Sequence, residues 1–209
     1  RDIALAKLTD GKLHIAHIST KRAVELVRQA KKGGIKVTAE VTPHHLTLTD
    51  DYVKSSDFNT NYKVNPPLRT KSDIEALKSG LKDGTIDAIA SDHAPHSEEE
   101  KDVEYNVAPF GIIGMETLLP VVLTELVHKK VITINQLVSA LTVNPARILG
   151  IAKGTLSIGA DADVTLIDLN KEWVIDPAKF KSKSRNCPFA GWKVKGRAVG
   201  AIVNGQVIA

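Results

Sequence analysis

Apolar residues recur along this chain in two rhythms, strand-length runs and stretches of helical spacing. They alternate as far as residue 150, and short β-rich runs follow alone. Asp2-Ile-Ala-Leu-Ala-Lys-Leu8 reads as the middle of an amphipathic helix already under way at Arg1. Leu13-His-Ile-Ala-His-Ile-Ser19 is a strand-length apolar run. Thr20 caps the next segment, where Ala23, Leu26, Val27 and Ala30 share a helical face until Gly33-Gly34 ends it. Lys36 to Val41 is a second β-rich run. Thr42-Pro43-His44-His45 breaks it, because proline cannot continue a central ladder. Ile74, Leu77 and Leu81 predict a helix over 70–81, and Ile86 to Ala90 reads as a third strand. This alternation predicts a parallel α/β architecture.

After Gly111 two longer helical patterns follow. One runs from Met115 to His128 and is kinked at Pro120. The other runs from Ile134 to Leu149, where a second helix begins with Pro145 at its first position. From Gly154 the texture changes to short β runs: Thr155–Ile158, Asp163–Asp168, Trp173–Ile175, Lys193–Val199 and Ala201–Ile208. Asn204-Gly205 is a hairpin signal. Two units are therefore expected, an α/β part over 1–153 and a small C-terminal β module over 154–209.

Composition narrows the class without naming it. The 209 residues are 43% hydrophobic and 25% charged, ordinary for a globular protein. Twenty-eight basic against 24 acidic residues give a formal charge of +4, spread along the chain. The basic clusters lack interleaved aromatics, which argues against a nucleic-acid partner. A single cysteine, Cys187, excludes an internal disulfide and a Cys-rich zinc module, and suits a cytoplasmic location. No apolar run approaches the ~20 residues of a membrane span.

The richest segment is Ser91-Asp92-His93-Ala94-Pro95-His96-Ser97-Glu98, which closes the third strand. Chemistry in α/β proteins sits at the carboxyl ends of strands, and a carboxylate buried there needs a metal, a cation or hydrogen-bond donors. Asp92 is thus a candidate metal ligand and general base, or else a helix cap. His17 ends the first strand and could reach the same pocket, or be a satisfied core histidine. Side-chain alternation sends His14 to the opposite face. His44 and His45 also follow a strand, so one of them could enter the pocket; a structural or supporting role is favoured, since consecutive side chains diverge and Pro43 turns the chain. Asn65-Pro66-Pro67-Leu68-Arg69 is either a loop stiffener or a rigid mount presenting the Asn65 amide to a substrate. The loop around Phe110 and Gly111 combines proline and glycines ahead of a helix, fit for close backbone approach to a ligand or for simple helix entry.

Taken together, these motifs resemble the dihydroorotase family, cyclic amidohydrolases of the amidohydrolase superfamily. The resemblance runs in order over essentially the whole chain. It rests on His14-Ile-Ala-His17-Ile-Ser-Thr20, Glu40-Val-Thr-Pro-His-His45, Lys63-Val-Asn65-Pro-Pro-Leu-Arg69, Asp92-His-Ala-Pro-His96, Pro109-Phe-Gly-Ile-Ile-Gly-Met-Glu116, Asn144-Pro-Ala and Gly154-Thr-Leu-Ser-Ile-Gly159. It implies a TIM-like (β/α)8 barrel flanked by a small β module, and one or two Zn2+ ions. His17 would be a metal ligand, and Asp92 both a ligand and the group that shuttles the proton. Asn65 and His96 would hold the ring amide and carboxylate, with backbone near Phe110 and Gly111 against the ring. The family's strand-one histidine pair, its bridging ligand, a further histidine ligand and a substrate-binding arginine are expected to precede Arg1. A full barrel takes ~250 residues, so this chain is expected to carry about the last three strands and to need its N-terminal half. The activity implied is zinc-dependent interconversion of N-carbamoyl-L-aspartate and dihydroorotate in pyrimidine synthesis. Rival expectations are hydantoinase or allantoinase action, or a non-catalytic partner of aspartate transcarbamoylase. Self-association is a further possibility the family allows.

Overall fold

The computed structural model describes residues 1–208. Helix α1 (Asp2–Thr9) leads into β1 (Leu13–Ile15). Thr20 accepts a hydrogen bond from the Ala23 N–H and starts α2 (Lys21–Lys32). Its buried face is Val24, Val27 and Ala30, whereas Leu26, expected inward, is 40% exposed. Leu26 lies one ~100° step from Val27, and packing centres on Val27. After β2 (Val37–Val41), the histidine segment expected only to break the strand forms a short helix, α3 (Pro43–Thr47). Then come α4 (Asp51–Ser55), a 3-10 turn at Thr60–Tyr62, α5 (Lys71–Lys82) and β3 (Ala88–Ile89). Thr70 opens α5 with a reciprocal capping box to Asp73.

β1, β2 and β3 form one parallel sheet in that order. Leu13 pairs with Val37, Ile15 with Ala39, and Val41 with Ile89. On β2 the side chains alternate strictly. Val37, Ala39 and Val41 are buried, while Thr38 and Glu40 face the other side half-buried. Ala39 and Val41 share a core with Val24 and Val27 of α2, Leu77 and Leu81 of α5, and Ile86. Gly80 allows that approach, since a Cβ there would stand 2.9 Å from Val24 Cγ1 and 3.3 Å from Ile86. On the opposite face His14 bonds Thr38 Oγ1 (2.9 Å) through Nδ1 and Glu40 (3.1 Å) through Nε2.

Beyond α6 (Glu98–Lys101), helix α7 (Leu118–Val122) contains Pro120 and runs into a π-helical turn at Leu123–Val127. The pattern expected from Ile134 to Leu149 divides at Thr142 into α8 (Ile134–Leu141) and α9 (Val143–Leu149). Pro145 therefore occupies the third position of α9 rather than the first. The C-terminal segment forms an antiparallel sheet of β4 (Val164–Val174), β5 (Lys193–Val203) and β6 (Gln206–Val207). The runs at 163–168 and 173–175 join into one bulged strand, and 155–158 is not a strand. Asn204 (φ 49) and Gly205 (φ 77) make the hairpin between β5 and β6. This sheet shares a core with the loops of the parallel sheet: Phe189, Ile175 and Val194 pack with Leu48, Val64, Leu68 and Ile112. No helix is long and apolar enough to cross a membrane among the described residues.

Candidate active site

Three strand exits converge. Just past β1 the Ile18 N–H donates to Glu40 O, so the pairing continues while His17 adopts a left-handed φ of 34°. Its Nδ1 is buried without any hydrogen-bond partner. Past β2, Thr42 caps α3 by accepting from the His45 N–H, and Pro43 takes the first helical turn, where its missing N–H is harmless. That turn folds His44 and His45 back over the strand end, both almost fully buried. Past β3, Asp92 also takes a left-handed φ, 49°.

His44 and His45 have opposite environments. His45 is held at both nitrogens, by Thr42 Oγ1 (2.7 Å) and by the Pro66 carbonyl (2.8 Å). Burial holds its pKa down at about 4, against the Pro66 bond that raises it. His44 Nε2 has no partner and lies 3.8 Å from Asp92 Oδ2, beyond hydrogen-bond reach. Burial, then the charges of His45 and His17, push its pKa well below the usual imidazole value. A neutral ring beside a carboxylate is no ion pair. Burial pushes the Asp92 carboxyl up, opposed by the charge of His17 and reinforced by that of Glu40.

Two buried, unpartnered imidazole nitrogens beside a carboxylate are the donor chemistry of a borderline divalent metal such as zinc. An orphaned buried polar atom is costly unless something meets it. Ligand atoms held ~2.0–2.1 Å from a tetrahedral ion stand roughly 3.4 Å apart, close to the His44–Asp92 separation. Among the described residues, no three His, Cys, Asp or Glu side chains gather closely enough to hold a metal ion by themselves.

The other anticipated residues gather on the loop that leaves Asp92. Ala94 N–H donates to Ile112 O (2.8 Å), laying that loop along 109–114. His93 Nδ1 accepts from the Gly114 N–H (3.1 Å), so His93 anchors the loop. His96 Nε2 donates to Phe110 O (3.0 Å), and its Nδ1 lies 3.4 Å from Glu100. Phe110 is 54% exposed, its ring 4.7 Å from the Lys63 ammonium. Gly111 (φ 127) is required, because a Cβ there would stand 2.5 Å from that of Ala94 and 3.3 Å from His96 Nε2. Asn65 is exposed, next to the Pro66 whose carbonyl holds His45.

The structure sets His44 beside Asp92, puts His17 near enough for its charge to act on both, and gathers His96, Phe110 and Gly111. The sequence did not separate His44 from His45, and the structure leaves only His44 with an unpartnered nitrogen. A further histidine was expected only before Arg1, yet His44 offers one within the chain. The overlooked signal was Pro43 as a helix start, which turns adjacent residues ~100° apart and frees one ring while the next is tied.

The amidohydrolase family model matches residues 5–208. The chain belongs to the amidohydrolase family. It is 55% identical to a dihydroorotase of Acetivibrio thermocellus and 56% identical to one of Geobacter sp., over all of this chain but 48% of each relative. This amidohydrolase chain therefore spans about half the length of the curated relatives it matches. Among solved structures, the L-hydantoinase (dihydropyrimidinase) of Arthrobacter aurescens superposes with a TM-score of 0.93 at 34% identity, covering all of this chain and 47% of that one. The dihydropyrimidinase of Brevibacillus agri gives 0.91 at 29%.

Proposed function

We propose that this chain is the C-terminal part of a dihydroorotase, and that its three parallel strands are an arc of a (β/α)8 barrel completed by an N-terminal half. The observation that carries the reading is the pair of orphaned nitrogens, His17 Nδ1 and His44 Nε2, beside Asp92 at strand carboxyl ends. The higher identity to dihydroorotases than to the hydantoinase supports the substrate assignment. His17, His44 and Asp92 would each contribute to a divalent-metal centre that closes only with ligands from the missing half, since the three do not gather on one point here. When bound, such an ion polarises a carbonyl and lowers the pKa of water.

In the hydrolytic direction water adds to the ring amide carbonyl of dihydroorotate and the C–N bond breaks. Asp92, ionised at the start, takes the proton from water and delivers it to the leaving ring nitrogen. In the synthetic direction the ureido nitrogen of N-carbamoyl-L-aspartate closes on the side-chain carboxylate and water leaves. His96 meets the substrate carboxylate by charge-assisted hydrogen bonding when protonated. Phe110 O holds its Nε2, which leaves Nδ1, 3.4 Å from Glu100, to donate. Asn65 presents its amide to the ring, and the Phe110–Gly111 backbone lines it. The α/β part ends near residue 153, where the β module over 154–209 begins, and the location is the cytoplasm, where pyrimidine synthesis would use it.

Mixing the chain with its N-terminal half and zinc, and assaying dihydroorotate beside hydantoin and allantoin, tests the reading. The expected result is turnover of dihydroorotate by the mixture and none by this chain alone. Turnover of hydantoin or allantoin instead would transfer the assignment to those relatives. Inactivity of a folded, zinc-loaded mixture towards all three would overturn it in favour of a non-catalytic partner, for instance of aspartate transcarbamoylase.

A further inference from the structure

Two buried lysines lie under the Phe110 loop. Lys101 is 7% exposed and Lys63 6%. The Lys101 ammonium donates to two carbonyls, Pro109 O (2.9 Å) and Gly111 O (3.2 Å), and to no carboxylate. Lys63 Nζ donates to Asn106 O (3.0 Å) and faces the rings of Phe110 and Tyr105. Burial, then the charge of Lys63, holds the Lys101 pKa down at about 8. A cation buried beside another cation, with no anion to offset it, is costly as mere scaffolding.

The loop it holds is clamped from several sides. Gly111 O accepts a second bond from Asn186 Nδ2 (3.1 Å), and the same amide donates to Ala94 O (2.9 Å). Gly111 N–H donates to Lys63 O (2.9 Å), and Phe110 O accepts from His96. All three carbonyls from Pro109 to Gly111 are thereby occupied by side chains. Asn186, from the segment entering β5, ties this loop to the one that leaves Asp92.

We infer that Lys101 and Asn186 are positioning residues that fix the Phe110–Gly111 backbone for an anionic cyclic amide, with the Lys101 charge favouring the anion. The inference rests on the dihydroorotase reading. Lys101 acts through the loop and touches no reacting atom. Because its charge belongs to its action, substrate binding weakens as Lys101 loses its proton, whereas a purely structural lysine leaves no such signature in KM.

The test is the pH profile of KM for dihydroorotate in the zinc-loaded reconstituted enzyme, for wild type, Lys101→Met, Lys101→Arg and Asn186→Ala. In wild type KM rises above pH about 8. In Lys101→Met KM is high by roughly tenfold at neutral pH and lacks that rise, with kcat within a few-fold of wild type. Lys101→Arg keeps a permanent charge, so its KM near neutral pH stays at the wild-type value and lacks the rise above pH about 8. Asn186→Ala raises KM but retains the wild-type pH dependence. An unchanged KM in Lys101→Met, or the same inflection persisting in it, overturns the inference while leaving the dihydroorotase reading intact. A wild-type reconstituted enzyme inert towards dihydroorotate defeats both.

Discussion

His44 and His45 are neighbours in sequence, almost equally buried, and opposite in use. One has both nitrogens tied by Thr42 and Pro66; the other turns a bare Nε2 towards Asp92. Different costs of substitution follow. In the reconstituted enzyme, His44→Ala should sharply reduce the zinc retained on dialysis while changing the melting temperature little. His45→Ala should lower stability by about 1–3 kcal/mol and keep the metal. Metal analysis and thermal melts on both variants check this; equal zinc retention would count against His44 as a ligand. Asp92→Asn should cut turnover roughly 10³-fold or more in a protein that still folds. Cys187 gives a pH-dependent case. Burial pushes its thiol up to about 11, so folding is favoured while the thiol is protonated in both states. That stability is lost as pH rises from the usual thiol range, near 9, through 11. Alkylation of Cys187 should therefore track unfolding, and fast labelling of the native protein at pH 8 would contradict its burial. That His17 and Asp92 stand at strand exits was legible, because each closes an apolar run. The bare Nε2 of His44 was not, since His44 and His45 are alike in sequence and only the turn of α3 separates them.

At the scale of elements, the chain advertises its helices better than its strands. α2 and α5 carry apolar residues at helical spacing behind threonine caps, and both form where the spacing places them. Thr70→Ala should cost about 1 kcal/mol, read as a shift in the denaturation midpoint. β3 is two residues long, and its extent is set by pairing with β2 rather than by its own apolar run. The long β4 was read as two runs because polar Asn170 and Lys171 interrupt it at the bulge. α3 was invisible for a related reason. A five-residue helix has too few positions to show a period, and Pro43 reads equally as a stop or a start.

For the whole molecule, the core over β2, α2 and α5 is continuous, and Leu77 at its centre is fully buried. Leu77→Ala should destabilise by about 2–5 kcal/mol in denaturant titration. The parallel sheet has three strands, while the relatives are twice as long. The α/β class followed from the alternation of elements, whereas the barrel belongs to the proposal, the parallel sheet described being one of three strands. Central to the dihydroorotase reading is one metal centre to which His17, His44 and Asp92 all contribute, completed by ligands from the N-terminal half. Anomalous diffraction at the zinc edge, from crystals of the reconstituted enzyme, tests it most directly. The expected result is zinc at this strand-end cluster, within about 2.0–2.2 Å of His44 Nε2, with His17 Nδ1 bonded in the same metal centre. Zinc bound elsewhere, with both nitrogens still bare, would contradict it.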